Sequence, residues 1–497
     1  MRFERAQVRQ GEVPFGIKVF QAVGGIAGAT KDLIFRSFLL LYYNQVLGVP
    51  ASTASIVLLI ALIVDAVSDP LVGSYSDNLK HQLGRRHPLM FAAIIPFTAS
   101  IYFLLAPPEL SASATVVWFL LFTVLTRFTF TFYVVPWSAL FSELTDDYTE
   151  RSSLLAYRAG VGWLLGIIFV VVSYGVIFTA GDGYERGQLN PENYPPFAIM
   201  SAGVVFISGL ITTLATRGQI PYLRQPTSEQ PRFSFLQTWG ELKLALQNRD
   251  MLFLFLAVLA SSVVIGTNQA FEIYMNTYFW EFGGEQLQYM GWTAVGGLAA
   301  FLTVIPLQKR FDKKVLLVGC SVLIMFVTAV PVTLRLLGLA PENGTSGIVV
   351  LVVGTVTVNA YLATVALTMF GSMLADTIDL QELRTGLRQE GLFNSAITFS
   401  GKATTGWGIV IAGFLLDYVV GLPPAAEPEQ ITQDMVWRIA VLDGYVVPLF
   451  NVVWLWLAMQ YSIDRKRHAQ IRAELDGRSG VDSSNTGGVE DPHVVKT

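Results

Sequence analysis

Residues 51–77 read ASTASIVLLIALIVDAVSDPLVGSYSD, an apolar run that is interrupted near its middle by two aspartates. About 20 mostly apolar residues are enough for a helix to cross the hydrocarbon core of a bilayer. Continuous apolar runs favour helices, because the strands of membrane barrels show a weaker, alternating pattern. Twelve such segments occur, so we predict an all-α polytopic membrane protein. In chain order, the segments are 17–47, 51–77, 89–107, 113–143, 156–180, 197–217, 251–281, 287–307, 314–338, 347–378, 391–421 and 435–461.

The composition supports a membrane protein and excludes several other classes. Of the 497 residues, 53% are hydrophobic and 14% are charged, whereas a soluble globular protein is about 25% charged. The single cysteine, Cys320, has no second cysteine with which to form an intrachain disulfide. The net charge of −4 argues against a general nucleic-acid-binding protein.

The sequence contains no arrangement that is typical of an enzyme or of a resident metal. No Gly-x-Ser-x-Gly motif of a nucleophilic serine occurs, and the few histidines show no metal-ligand spacing. We therefore expect no catalysis and no cofactor. The four histidines, all in predicted loops or in the tail, are His81, His87, His468 and His493.

The distribution of basic residues predicts how the chain is oriented in the membrane. If the N-terminus is cytoplasmic, the 33 Lys and Arg residues divide into 24 on the cytoplasmic side, three on the outer side and six inside the segments. Cytoplasmic loops of membrane proteins carry such an excess of basic residues. We expect both termini to be cytoplasmic, and the short loops favour a plasma membrane of bacterial inner-membrane type.

The longest polar interruption lies between segments 6 and 7 and divides the segments into two groups of six. Duplicated six-helix halves are common in transporters. The predicted organisation is an N-terminal six-helix bundle over 1–217, a cytoplasmic central loop over 218–250, a C-terminal six-helix bundle over 251–461 and a disordered cytoplasmic tail over 462–497.

Asp65 and Asp69 are the first candidates for a functional site, because charges at bilayer depth are costly. They are four residues apart, so both carboxylates lie on one face of a helix. Two such charges repel each other unless a cation lies between them or one of them is protonated. Ser68 adds a hydroxyl on an adjacent face. These residues predict a Na⁺ or H⁺ site; the alternative is a buried pair satisfied by Arg or Lys from other helices.

Lys402, in segment 11, is a second buried charge that requires an explanation. It could pair with Asp65 or Asp69 when the cation leaves, or it could belong to a fixed structural ion pair. In segment 1, Asp32 and Arg36 are spaced as an i,i+4 ion pair, which is more often structural than a substrate contact.

Polar and aromatic side chains in segments 4 and 7 are candidates for a substrate cavity. Helix–helix hydrogen bonding and simple packing are the alternative explanations. These candidates are Tyr133, Trp137, Asn268 and Glu272.

Two clusters at predicted cytoplasmic ends could hold that side in one conformation. The first comprises Gly73, Asp77, Arg85 and Arg86: the glycine permits close helix approach, and the aspartate can pair with the basic cluster. The second, in the other half, is built on residues 375–379, followed by Glu382, Arg384 and Arg388. Solvated helix ends are the alternative interpretation of both clusters.

The motif around the two aspartates, DAVSDPLVG over 65–73 with LGRRHP over 83–88, resembles the glycoside–pentoside–hexuronide:cation symporters. This group is the melibiose-carrier branch of the major facilitator superfamily. The resemblance implies the major facilitator fold, with twelve transmembrane helices in two six-helix bundles that alternate access, and symport with Na⁺, Li⁺ or H⁺. Further matching stretches are 42–44 (YYN), 135–137 (VPW), 150–151 (ER), 157–158 (YR), 375–379 (ADTID) and 401–402 (GK).

The resemblance also assigns roles by position. Asp65 and Asp69 match the paired cation carboxylates, and Thr131 matches the cation-site threonine of this family. Ser68 stands where the melibiose carrier has Asn. Lys402 matches the lysine of segment 11, and Arg158 matches the arginine that opens segment 5.

The sugar site departs from the family pattern. The two aspartates that bind galactosides in the melibiose carrier fall at Ala29 and Val134, although Asp32 lies one turn from the first position. A site that pairs sugar hydroxyls depends strongly on such groups. We therefore expect a solute other than a melibiose-like galactoside: another sugar, or a less polar or amphipathic solute. Vertebrate lysophospholipid symporters resemble the same family and also lack the pair.

The sequence as a whole thus predicts a cation-coupled secondary active symporter. We expect it to act as a monomer in the lipid bilayer on a small-molecule substrate, with Na⁺ or H⁺ as the co-transported ion. The alternatives are a protein that translocates or scrambles a lipid-like solute without coupling, and a membrane sensor that binds a ligand without transporting it.

Overall fold

The computed structural model describes residues 11–181, 183–223, 246–385 and 390–486, together with residues 3, 4, 7, 9, 225, 226, 234, 240 and 243. In this part of the chain, two two-residue strands, β1 (Phe3–Glu4) and β2 (Gln225–Pro226), pair antiparallel. The remaining regular structure is helical. The central loop predicted over 218–250 begins with a 3₁₀ turn, Arg217–Tyr222, and lies largely outside the described residues.

The first helix, α1, consists of consecutive helical pieces. α- and π-helical turns alternate in its second half, where the π turns insert an extra residue per turn. The pieces are Phe15–Val23, Gly25–Leu33, Ile34–Phe38, Leu39–Leu41 and Tyr42–Val46.

The other helices of the first half follow in order. They are α2 (Ala51–Asn78), α3 (His87–Leu105), α4 (Ala112–Glu143), α5 (Tyr148–Val172, continued by Ser173–Ile177) and α6 (Tyr194–Thr216).

The second half contains a further six long helices. They are α7 (Arg249–Tyr274, continued by Met275–Phe279), α8 (Gly284–Leu287, Gln288–Thr293 and Ala294–Arg310), α9 (Lys313–Leu336), α10 (Ser346–Thr385), α11 (Glu390–Phe414, continued by Leu415–Val420) and α12 (Gln433–Val441, Leu442–Val446, Val447–Leu449 and Asn451–Met459).

Among the described residues, eleven helices are long and apolar enough to cross a membrane. They correspond to α2–α12. The helix α1 is not among these eleven because it is less apolar. Its second half carries three charged residues, Lys31, Asp32 and Arg36. We count α1 as the twelfth span because it packs among them. The prediction of an all-α polytopic membrane protein is confirmed, and the boundaries predicted for its two halves stay a prediction.

The described part of the tail is helical, whereas residues 487–497, for which disorder was also expected, lie outside the described residues. A helix, α13 (Arg465–Thr486), follows α12 and packs against α10. Its first turns are anchored, because Ile471 is buried and Arg472 Nη1 lies 3.5 Å from Asp379 Oδ2. Composition alone did not predict this helix, because its contacts depend on residues nearly a hundred positions earlier in the chain.

The two halves meet closely where α11 packs against α2. Glycines on α11 permit this approach: a Cβ atom on Gly413 would lie 2.5 Å from the carbonyl oxygen of Ala51, and one on Gly406 would lie 2.6 Å from Leu59 Cδ1. Helices in membranes associate in this way through small residues that bring the backbones together. The α2–α11 contact is therefore a place where the backbones of the two halves approach closely.

Hydrogen bonds also join the halves at the face where α1 ends and α2 begins, which is the predicted outer face. The carboxylate of Asp417 in α11 accepts hydrogen bonds from the backbone N–H groups of Ala51 (3.0 Å) and Ser52 (2.8 Å), and so caps α2. Tyr278 Oη of α7 donates to Gln45 Oε1 of α1 at 2.9 Å, and Gln188 Nε2 donates to the Phe282 carbonyl at 2.7 Å.

On the opposite face, an ion-pair cluster ties the loop after α2 to the end of α4. Glu143 Oε1 accepts hydrogen bonds from Arg85 Nη2 (2.8 Å) and Arg86 Nε (2.9 Å), and Asp77 Oδ1 lies 2.6 Å from Arg86 Nη2. The predicted cluster of Asp77, Arg85 and Arg86 is thus brought together. Burial lowers the pKa of the Arg85 guanidinium, and Glu143 opposes that effect. The sequence reasoning missed Glu143, which lies nearly 60 residues away from the arginines.

Asp376 of the second predicted cluster, near the end of α10, pairs with residues that the sequence did not assign to that cluster. Its carboxylate lies 2.6 Å from Lys313 Nζ, accepts a hydrogen bond from Tyr461 Oη (3.0 Å) and lies 3.2 Å from His468 Nε2. The cluster thereby joins α9, α10 and the tail helix within the second half. Arg388, which was assigned to this cluster from the sequence, lies outside the described residues.

The α2–α11 contact can be tested by adding one methyl group. We expect Gly413→Ala to lower the unfolding midpoint of the detergent-purified protein, because a Cβ atom there would press on the Ala51 backbone and overpacking costs about 1–3 kcal/mol. The control is Gly319→Ala in α9, where a Cβ atom meets nothing within 4 Å. An equal midpoint for the two variants would contradict the close packing.

Glu143 can be tested by removing its charge. Glu143→Gln leaves two buried arginines partly uncompensated, and breaking a buried pair costs up to about 3–5 kcal/mol, so we expect a clear decrease in the unfolding midpoint. The control is Asp146→Asn, whose exposed carboxylate lies 3.7 Å from Arg151 and whose pairing contributes roughly 0–1 kcal/mol. A midpoint for Glu143→Gln no lower than that of the control would refute this role.

Candidate functional site

The two aspartates of α2 lie together at the middle of the helix, against α4. Thr131 Oγ1 of α4 lies 3.0 Å from Asp69 Oδ1 and 3.3 Å from Asp65 Oδ1. Ser68 Oγ lies 3.1 Å from Thr131 Oγ1 and donates to the Asp65 carbonyl at 3.2 Å. The four residues predicted to bind the cation therefore form one contiguous set of oxygen atoms, and oxygen atoms are the ligands that hard cations prefer.

Lys402 of α11 reaches this set from the other half of the molecule. Its Nζ atom lies 3.0 Å from Asp65 Oδ2 and also pairs with Asp69 Oδ2. This contact agrees with both interpretations of Lys402 offered by the sequence. It places a positive charge beside both carboxylates, so a cation bound at these oxygen atoms would compete with Lys402.

Arg127, one turn before Thr131 in α4, is a partner that the sequence reasoning left without a role. Its Nη1 atom lies 3.3 Å from Asp65 Oδ2, the residue is buried, and its guanidinium lies 4.4 Å from the centre of the Phe35 ring. The signal that could have identified it is the i,i+4 spacing from Thr131, which puts both residues on one helix face.

The charges of α1 pair differently from the sequence expectation. The structure does not pair Asp32 with Arg36. Lys31 Nζ lies 2.7 Å from Asp32 Oδ1, and Arg36 Nη2 lies 2.6 Å from Glu272 Oε2 of α7. The i,i+4 expectation did not hold because Arg36 lies where α1 packs against α7 and meets a carboxylate from the other half. Asp32 and Glu272 remain accessible, with side chains 73% and 38% exposed.

The other predicted cavity residues divide into packed and accessible ones. Tyr133 is buried and donates its hydroxyl to the Gly24 carbonyl at 2.9 Å, and Trp137 is buried and donates Nε1 to the Gln21 carbonyl at 2.9 Å. Both therefore pack α4 against α1, which is the alternative explanation given for them above. Arg158 of α5 lies 4.0 Å from the centre of the Trp137 ring, while Asn268 is half-buried on α7.

A further carboxylate lies in the membrane-spanning part of the second half and was missed from the sequence. Asp443 belongs to the π turn Leu442–Val446 of α12, which packs against α7, the helix that carries Glu272. The signal was present, since an acidic residue inside an apolar segment is a functional candidate by default.

The similarity of this chain to known proteins extends over most of its length. A family model described as MFS/sugar transport protein matches residues 20–465. An uncharacterised symporter of Synechocystis is 25% identical, covering 93% of this chain and 97% of that protein. A putative glycoside/cation symporter of Escherichia coli is 26% identical, covering 77% of this chain and 78% of that protein.

The fold has counterparts among solved structures. The crystal structure of the nucleoside transporter NupG matches with a TM-score of 0.58 and 14% sequence identity, over 90% of this chain and 98% of that one. The prediction of the major facilitator fold, with two six-helix bundles, is thereby confirmed. With the family match extending across both halves, the chain belongs to the MFS/sugar transport protein family, whose members are transporters and not enzymes.

Proposed function

We propose that the protein is a cation-coupled secondary active symporter for a small organic solute, a sugar or glycoside other than a melibiose-like galactoside. The observation that carries this proposal is the oxygen set of Asp65, Asp69, Ser68 and Thr131, with Lys402 of the other half bound to both carboxylates. At such a site, a bound cation takes the place of the Lys402 ammonium beside the carboxylates. Ion binding then directly changes a contact between the two halves.

The coupling follows from this competition for the carboxylates. Na⁺ or H⁺ bound at Asp65 and Asp69 reduces the attraction that holds Lys402, and so weakens one connection between α2 and α11. If the cation favours the state that binds substrate, then substrate must favour cation binding by the same factor. Neither ligand alone then has to supply the whole free energy of the conformational change.

Alternating access is supported by the different contacts at the two faces. Hydrogen bonds at the predicted outer face cross between the halves, as at Asp417 and Tyr278. The ion-pair clusters at the other face, around Glu143 and Asp376, each lie within one half. We propose that this conformation is closed towards the outside, with both termini in the cytoplasm of a bacterial cell and with the monomer as the functional unit.

The substrate proposal rests on which groups are present and which are absent. The positions of the galactoside-binding aspartates hold Ala29 and Val134, so two acceptors for sugar hydroxyls are lacking. The accessible carboxylates of Asp32 and Glu272, with Asn268, are the groups we propose for solute contact, and Arg158 remains a proposed coupling or gating residue. The name of the Escherichia coli relative, a putative glycoside/cation symporter, supports a glycoside and a cation as the pair of ligands.

An amphipathic, lipid-like solute such as a lysophospholipid is the alternative. It is favoured by the apolar side chains at positions 29 and 134. A ligand thermal-shift screen of the purified protein with sugars, glycosides, steroids and lysolipids, each with and without Na⁺, distinguishes the two. An uncoupled lipid translocase or scramblase would in addition move its lipid regardless of an imposed Na⁺ or H⁺ gradient.

The cation site is tested by Asp69→Asn. The variant loses the carboxylate that pairs with Lys402 and contacts Thr131, so gradient-driven uptake of the solute identified by the screen should fall to the equilibrium level in vesicles. Asp434→Asn is the matched control, because that aspartate forms an exposed pair with Arg438 at the start of α12. Accumulation by Asp69→Asn at the wild-type level would refute the assignment.

The substrate site is tested by restoring one of the two missing acids. We expect Val134→Asp alone to give no galactoside transport, because Ala29 still provides no second acceptor and a half-satisfied polar site binds weakly. Uptake of a labelled galactoside in cells without another galactoside carrier is the measurement, and the wild type is the control. Uptake by the single variant would show that one carboxylate is sufficient.

A further inference from the structure

We infer that Arg127 is a positioning residue that cancels the charge of Asp65 and thereby limits the cation site to a single monovalent cation, attracted mainly by Asp69. This inference rests on the proposed function, because it concerns the same site. It assigns a role to Arg127 and a number to the bound cations. The carboxylate pair alone implies neither.

The two aspartates differ in the number of positive partners that they have. Asp65 Oδ2 lies 3.3 Å from Arg127 Nη1 and 3.0 Å from Lys402 Nζ, whereas Asp69 pairs with Lys402. When Lys402 moves away with α11, Asp65 keeps Arg127. Asp69 then keeps the hydroxyl of Thr131, which is neutral. The free negative charge of the site is therefore concentrated on Asp69.

The two aspartates also differ in how far their side chains are buried. The side chain of Asp65 is 4% exposed, whereas that of Asp69 is 26% exposed. Arg127 is itself buried against Phe35, and its Nε atom has no hydrogen-bond partner among the described residues. A guanidinium in such a position cannot be solvated without a large rearrangement, and it stays charged in a protein. Arg127 and Asp65 thus form a fixed pair inside the first half.

The charges around the site then determine how many cations fit. Near the site, α1, α2 and α4 supply the acids Asp32, Asp65 and Asp69 and the bases Lys31 and Arg127. Arg36 of α1 is left out of this count because Glu272 of α7 neutralises it. Lys31 belongs to this group because its Nζ atom lies 2.7 Å from Asp32 and 5.8 Å from the Phe35 ring that Arg127 also covers.

Lys402 brings this group to neutrality, and its departure leaves one negative charge. One monovalent cation restores neutrality at bilayer depth. A second cation would leave an uncompensated positive charge there, which is unfavourable.

Arg127 variants separate this inference from a structural role. Arg127→Gln removes the fixed positive charge, so the site is more negative by one charge when Lys402 is away. The cation concentration at half-saturation should then fall by at least about tenfold, since a charge a few ångströms away acts strongly in a buried site. Arg127→Lys conserves the charge and should keep the half-saturating concentration within about threefold of the wild type.

The measurement is the charge displacement of proteoliposomes on a solid-supported membrane after a Na⁺ concentration jump and, separately, after a pH jump. It requires no identified solute. We expect the wild type to respond to one of the two jumps with a saturation curve of slope near one.

Two charge-neutral double variants complete the design. Asp65→Asn/Arg127→Gln leaves no buried charge uncompensated and should recover a displacement that Asp65→Asn alone reduces. Asp69→Asn/Lys402→Gln is equally neutral overall but should give no displacement. If Arg127→Gln does not fold, the comparison of these two double variants provides the test.

The outcomes distinguish the inference from the function on which it rests. An unchanged half-saturating concentration in Arg127→Gln, a wild-type slope near two, or a displacement that survives in Asp69→Asn/Lys402→Gln would overturn the inference while leaving cation coupling in place. No displacement from the wild type after either jump would overturn cation coupling itself, and the inference with it.

Discussion

The contact of Lys402 with Asp65 and Asp69 is the interaction on which the rest of the interior depends. Charges at bilayer depth are tolerable only when they are compensated, because an isolated charge there is costly. Here Lys402 and Arg127 together compensate the two aspartates. The partners come from different halves of the chain, so the same contact that satisfies the charges also connects α2 to α11. Any ligand that changes the charge of the carboxylates therefore changes the contact between the halves. The glycines of α11 support this arrangement by permitting the backbones to approach.

Around this centre, the polar contacts fall into two kinds. Buried ion-pair clusters such as that of Arg85, Arg86 and Glu143 lie within one half and make one end of it rigid. The halves are joined by the Arg36–Glu272 ion pair and by hydrogen bonds such as those that Asp417 accepts from the start of α2, and each of these hydrogen bonds is weaker than a buried ion pair. A molecule built in this way changes shape most readily by moving one half against the other. The proposal of alternating access depends on this difference in strength.

Much of the fold could be predicted from the sequence, because a bilayer permits few solutions for an apolar segment. The spacing of Asp65 and Asp69 placed both on one helix face, and the structure has them together. Pairings within α1 were less predictable: Arg36 satisfies its charge on Glu272 rather than on Asp32. The local spacing gave no information on this choice, because it depends on which helix packs against α1. Arg127 and Glu143 were missed as partners for the same reason.

The sequence by itself determined the number of membrane segments, the placement of charges along them and the candidates for the cation site. These properties follow from hydrophobicity and from helix periodicity, which act over a few turns. Only the tertiary structure decided that Lys402 reaches both aspartates, that Arg127 belongs to Asp65, and that Tyr133 and Trp137 are used in packing. Such contacts join residues that are tens to hundreds of positions apart. Their formation depends on the close approach of specific helix faces, which no local pattern encodes.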